Sequence, residues 1–133
     1  MSLYVVFDTN VIVSAMVSPH PNASTVKALE AISKGKIIPL FNEEIIAEYE
    51  DVLHRQRFHL LEKDVANIIG SIIKLGVRVI RTESGEQFPD LSDAKFYESA
   101  LSKEGAYVVT GNTRHFPKNS IVLTPAELLE LLY

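Results

Sequence analysis

At 133 residues the chain has the length of one domain, enough to bury roughly two-thirds of its unfolded surface. Its 47% apolar and 23% charged residues are ordinary for a globular protein, and the lack of cysteine excludes disulfides, zinc–thiolate centres and thiol nucleophiles. A formal charge of −4 argues against a general nucleic-acid coating protein, but not against an enzyme that acts on nucleic acid. No window approaches the roughly 18 apolar residues of a membrane span, and no basic segment precedes an apolar one at the start, so a cytoplasmic location is expected.

Leu3 to Phe7 is β-branched and aromatic, and reads as a buried strand. It runs into Asp8-Thr9-Asn10 and then Val11-Ile12-Val13, which places an acid and an amide inside an apolar run. A carboxylate there needs hydrogen bonds, a cationic partner or a metal to offset its desolvation. Ser18 to Asn22, with two prolines, is a loop. Ala23 to Ser33 carries Val26, Leu29 and Ile32 at helical spacing and ends at Gly35. Ile37 to Phe41 is a second strand, and Asn42 caps a helix from Glu43 to about His54 with an apolar stripe of Ile45, Ile46, Tyr49, Val52 and Leu53.

Leu60 to Leu75 is the next helix, followed by Gly76 and a strand from Val77 to Ile80. A polar loop from Arg81 to Pro89 leads to a helix starting near Ser92 or Asp93, with Phe96, Tyr97, Ala100 and Leu101 expected inward. Ala106 to Val109 and Ile121 to Leu123 are the last strands, and Thr124-Pro125 starts a final helix, Ala126 to Leu132. Strands and helices alternate along the chain, so the expected fold is three-layer α/β/α around a mainly parallel sheet of about five strands, in a single domain over residues 1–133. Ligands of such sheets bind beyond the carboxyl ends of the strands, where Asp8 falls.

Three other segments are candidates to share a site with Asp8. Glu48 falls roughly 40° outside the apolar stripe of its helix, at the boundary between core and solvent. A solvated surface glutamate is the plainer reading of that segment alone. Asp90 and Asp93 bracket a helix start, where one acid can cap the backbone while the other projects into a cleft. Thr110-Gly111-Asn112 leaves a strand at its carboxyl end, although Gly-Asn is also a common turn. Asp8, Glu48 and Asp93 on one rim would repel one another unless a cation lay between them. Hard oxygen ligands suit Mg²⁺ or Mn²⁺, which activates water for attack on a phosphate.

With these residues in view, the sequence resembles the PIN-domain nucleases, and more narrowly the bacterial PIN-family toxin components of toxin–antitoxin pairs. The resemblance rests on VVFDTNVIVSA, EEIIAEYEDVLHR, PDLSDAKFYESALSKEGAYVVTGNTRHFP and the closing Thr-Pro-x-Glu-Leu-Leu helix, in that order. It implies metal-dependent cleavage of RNA phosphodiesters, with Asp8, Glu48 and Asp93 as catalytic metal ligands and Phe96 as the helix aromatic. Thr9 or Asn10 would support Asp8 by hydrogen bonding, Asp90 would be an auxiliary acid, and Thr110 would belong to the supporting set. Many PIN nucleases carry an acid where this chain has Asn112. An amide offers oxygen without charge, so a second metal site should be weaker and one-metal operation is expected as an option.

RNA would need positive charge near the acids. Arg55, Arg57 and His59, and then Arg114, His115 and Lys118, form two basic runs expected on the same rim, with solvated loop charge as the alternative for each. The resemblance also implies a homodimer and a cognate antitoxin that covers the acidic cleft with a basic side chain. Two other readings compete with the nuclease: a PIN-fold module that binds RNA or a partner but cleaves weakly, and a phosphotransfer domain with its acceptor Asp after strand one. The second lacks the Asp-x-Asp and mid-sheet acids that such domains use. No histidine pairs with a plausible serine nucleophile, so a triad hydrolase has little support.

Overall fold

The computed structural model describes residues 2–133. Strands β1 (Leu3–Phe7), β2 (Ile37–Phe41), β3 (Val77–Arg78), β4 (Tyr107–Val109) and β5 (Val122–Leu123) form one parallel sheet in the order β3-β2-β1-β4-β5. The connecting helices are α1 (Thr9–Val17), α2 (Ser24–Ser33), α3 (Glu43–Leu53), α4 (Glu62–Leu75), α5 (Ala94–Leu101) and α6 (Pro125–Leu132). This is the expected three-layer α/β architecture with an all-parallel sheet.

The chain adds strands to one side of β1 and then returns to add β4 and β5 on the other. The crevice between β1 and β4 is therefore the point where strand order reverses, which is where open parallel sheets bind ligands. Register sharpens this: Phe7 pairs with Val109, so Asp8 and Thr110 leave the sheet side by side. Val5, Val6, Phe7, Val108 and Val109 beneath them are at most 1% exposed, each large apolar side chain contributing about 1.5–3 kcal/mol by its burial.

The central surprise is α1. The sequence pattern assigns no element to Thr9–Val17, and its run of β-branched residues has weak helix propensity. The helix nevertheless starts directly after Asp8, and burial of Val11 and Ile12, at 1% and 0% exposure, overrides that propensity. The apolar run is thus two elements, a strand and a helix, with the acid at their junction.

Smaller differences have similar causes. β3 ends at Arg78 rather than Ile80, because past one further bond from Val79 N–H to Phe41 O the chain leaves the sheet, and Ile80 is 84% exposed. Leu101 is 38% exposed rather than inward, whereas Phe96, Tyr97 and Ala100 are buried as expected. In α2 the buried residues are Ala28, Ala31 and Ile32, while Val26 and Leu29 are only partly covered. Thr124 and Glu127 form a reciprocal capping box at the start of α6, with Pro125 in its first turn.

Candidate active site

Asp8, Glu48 and Asp93 line one cleft of about 550 Å³ at the carboxyl end of the sheet. Each arrives there for a local reason. Asp8 directly follows β1 at the N-cap position of α1, and is 6% exposed. Glu48 is set by its neighbour Tyr49, whose ring is buried against Phe96 at 6.5 Å between centroids. The Tyr49 hydroxyl donates to Phe7 O at 2.5 Å, which pins α3 to the end of β1. Asp93 closes a short 3-10 turn, Leu91–Asp93, that feeds α5. Asp90 caps this turn, accepting from Ser92 N–H at 2.9 Å and Ser92 Oγ at 2.7 Å. The two acids three residues apart therefore divide into one that caps and one that faces the cleft.

Of Thr9 and Asn10, the expected supporters of Asp8, it is Asn10 that reaches it. Asp8 Oδ2 accepts from Thr110 Oγ1 at 2.8 Å, and the Asn10 backbone also stabilises its carboxylate. Thr9 does not bond Asp8; its hydroxyl donates to Glu48 Oε2 at 2.5 Å. As the first residue of α1, Thr9 turns away from the strand end and toward α3. The Asn10 side chain accepts from Gly111 N–H at 3.3 Å, tying α1 to the loop after β4.

The electrostatics are those of crowded acid. Burial, reinforced by the charges of Asp93 and Glu48, raises the Asp8 pKa to about 6 despite the lowering bond from Thr110. Burial also raises Asp93, with Asp90 and Glu48 adding to the shift while His115 and Lys95 oppose it. Asp90 is lowered, chiefly by the Ser92 hydroxyl and backbone bonds that define its capping role.

A family model described as PIN domain matches residues 4–114. The chain belongs to the PIN-domain family. PIN domains are generally nucleases and generally use divalent metals. A comparison with curated proteins gave no match.

The PIN domain's donor set suits a hard divalent cation in kind, since the cleft gathers carboxylates and offers no sulfur. The upward shifts of Asp8 and Asp93 are what a cation between them would reverse. In position the set is not yet a cage: among the described residues no three His, Asp or Glu side chains are grouped closely enough to hold a metal. One reason is visible in Glu48, whose Oε1 lies 2.7 Å from Lys95 Nζ while Oε2 is held by Thr9.

Lys95 is the residue that motif reasoning missed. A lysine in the first turn of a helix opposes the macrodipole, and that anomaly was the available signal. The cleft also has an apolar wall of Val13, Val17, Val52 and Phe58, which no sequence motif marked.

Each basic run sends one residue to the cleft, and the rest lie elsewhere. Arg57 and His115 line the acidic cleft, with His115 Nδ1 at 3.6 Å from Asp93 Oδ2. Arg114 and Lys118 line another groove beside Glu127, since the turn at Thr113–His115 sends the consecutive side chains of Arg114 and His115 in different directions. Arg55 is paired with Asp51 at 3.0 Å on the outer side of α3. Asn112 donates its backbone N–H to Thr110 Oγ1 at 3.0 Å, and its side-chain nitrogen lies 3.1 Å from His115 Nδ1. In the described residues no helix is long and apolar enough to cross a membrane.

Proposed function

We propose that this PIN domain is a Mg²⁺- or Mn²⁺-dependent endoribonuclease that hydrolyses RNA phosphodiester bonds in the Asp8–Glu48–Asp93 cleft. The observation that carries the reading is the convergence of these three acids, from three distant segments, on one cleft at the strand-order reversal. When bound, a divalent cation polarises the phosphate and lowers the pKa of a water ligand. Asp8 and Asp93 would supply the main oxygen donors, and Glu48, held by Thr9 and Lys95, would orient the attacking water. Thr110 would keep Asp8 aimed, while Arg57 and His115 would meet the phosphates of the substrate.

The toxin role belongs to the same proposal. A cognate antitoxin would set a basic side chain among the acids and cover the apolar wall, which the cleft's charge and composition favour. Incubating the protein with labelled single-stranded RNA and DNA of the same sequence, with Mn²⁺ or with EDTA, tests the reading. Cleavage of RNA alone, abolished by EDTA, is expected. Metal-independent cleavage, or none with any RNA, would contradict it and favour the binding module, for which the neutral Asn112 is the supporting feature.

A further inference from the structure

Within that nuclease reading, the cleft treats its three acids unequally. Glu48 has both oxygens occupied by the chain itself, Oε2 by Thr9 Oγ1 at 2.5 Å and Oε1 by Lys95 Nζ at 2.7 Å. The pair is well covered, with the Lys95 side chain 12% exposed and that of Glu48 24%. Lys95 is also fixed from other directions. Its ammonium donates to Ser92 O and lies 5.1 Å from the centroid of the Phe96 ring, so it is tethered to α5 and the turn before it. This is a positioned cation rather than a free surface lysine.

Asp8 has no such partner. Its hydrogen bonds come from the neutral Thr110 hydroxyl and the backbone, and its charged neighbours are Asp93 and Glu48. Asp93 stands between the two cases: it lines the cleft with Asp8, His115 Nδ1 lies 3.6 Å from its Oδ2, and Lys95 is near enough to offset part of its charge. Glu48 has its cation built in, and Asp8 has none, which leaves the Asp8–Asp93 side as the place for an added cation. Asn112, just beyond Thr110 and beside His115, adds no charge that a second ion would need.

We propose that Lys95 is a resident cation that competes with divalent metal for Glu48, so that the cleft takes a single divalent ion on its Asp8–Asp93 side. Lys95 is thus a positioning residue: it holds Glu48 in place and sets both the number of ions and their affinity. A fixed positive charge within a few ångströms of a divalent ion weakens its binding, on the order of tenfold or more in a partly buried cleft.

The test is Mn²⁺ titration by calorimetry of the wild type, Lys95→Met and Lys95→Arg. Methionine keeps the apolar stem and removes the charge, and arginine keeps the charge. One ion per wild-type chain is expected, with Lys95→Met binding Mn²⁺ at least about tenfold tighter or taking a second ion, and Lys95→Arg restoring wild-type behaviour. Equal affinity and stoichiometry in wild type and Lys95→Met would overturn the proposal, as would two ions in the wild type. Circular dichroism on each variant shows whether the fold is retained. If Lys95→Met fails to fold, Lys95→Gln replaces it under the same criteria. The outcome separates this inference from the nuclease reading. Mn²⁺ binding by Lys95→Met but not by the wild type would uphold Lys95 as the competing cation, overturn the single native ion, and remove metal-dependent catalysis from the native protein. Binding by neither would overturn both.

Discussion

Thr110 Oγ1 donates to Asp8 Oδ2 at 2.8 Å across 102 residues of chain, and the bond joins the ends of two adjacent strands. It is the one side-chain hydrogen bond that lowers the Asp8 pKa in a setting that otherwise raises it. Replacing Thr110 by valine keeps the shape and removes the donor. The Asp8 pKa should rise above its value of about 6, and the protein should lose about 1–3 kcal/mol at neutral pH. Carboxyl carbon NMR titration and urea unfolding read the two effects, and an unchanged Asp8 titration would count against the assignment.

Asp8 itself should be a stability liability without metal. Its pKa is raised from the ordinary carboxylate range to about 6, so the folded state holds the proton more tightly than the unfolded one. The resulting stabilisation is complete below the unfolded pKa, near 4, and is lost as pH rises through about 6. Asp8→Asn should therefore be more stable than wild type in EDTA at pH 7 to 8, by about 2–3 kcal/mol, with the gap closing near pH 4. Denaturant midpoints across that range measure it. A wild type more stable than the variant at pH 8 would be the opposite result.

Two glutamates four residues apart on α3 provide an internal control. Glu48 lines the cleft, whereas Glu44 pairs with Arg81 at 2.8 Å, away from the acidic cleft. Glu48→Gln should lower RNA cleavage at least about 100-fold while the protein stays folded, and Glu44→Gln should leave cleavage within about twofold. Equal losses in both would remove the reason for assigning Glu48 to the chemistry.

The loop before Asp93 depends on a different acid. Glu98, 6% exposed, accepts from Arg81 Nε at 2.6 Å, Ser84 N–H at 2.9 Å and Ser84 Oγ at 2.8 Å. Glu98→Ala would leave these donors without their acceptor and should cost about 1–3 kcal/mol. Hydrogen exchange should show faster opening of residues 81–90, with the β1–β4 crevice less affected. Uniform loss of protection throughout the sheet would contradict a local role for Glu98.

How far the sequence could be read follows from which signals are local. Helical angle placed Glu48 at the edge of its apolar stripe and capping chemistry allowed one of Asp90 and Asp93 to face a cleft, but which acid does which, and that Glu48 is more than a solvated surface acid, came only with the resemblance. The alternation of elements likewise predicted the parallel sheet. Helix α1 was not legible, since Val11, Ile12 and Val13 favour extended backbone and only tertiary burial makes them helical. That Thr110 rather than Thr9 supplies the hydroxyl to Asp8 was hidden for a related reason. Which hydroxyl reaches Asp8 depends on strand register between residues about a hundred positions apart. Only Arg57 and His115 of the basic runs reach the cleft, because sequence does not specify the direction of loop side chains. Lys95 was overlooked although its place in the first turn of α5 was anomalous.

The central claim is that Asp8, Glu48 and Asp93 form one divalent-metal nuclease centre. The most direct test is Mn²⁺ binding by calorimetry for the wild type beside Asp93→Asn, followed by RNA cleavage in the same samples. Saturable Mn²⁺ binding and metal-dependent cleavage by the wild type, both lost in Asp93→Asn, are predicted. Undiminished binding and cleavage by Asp93→Asn, or a wild type that binds no Mn²⁺, would contradict the claim.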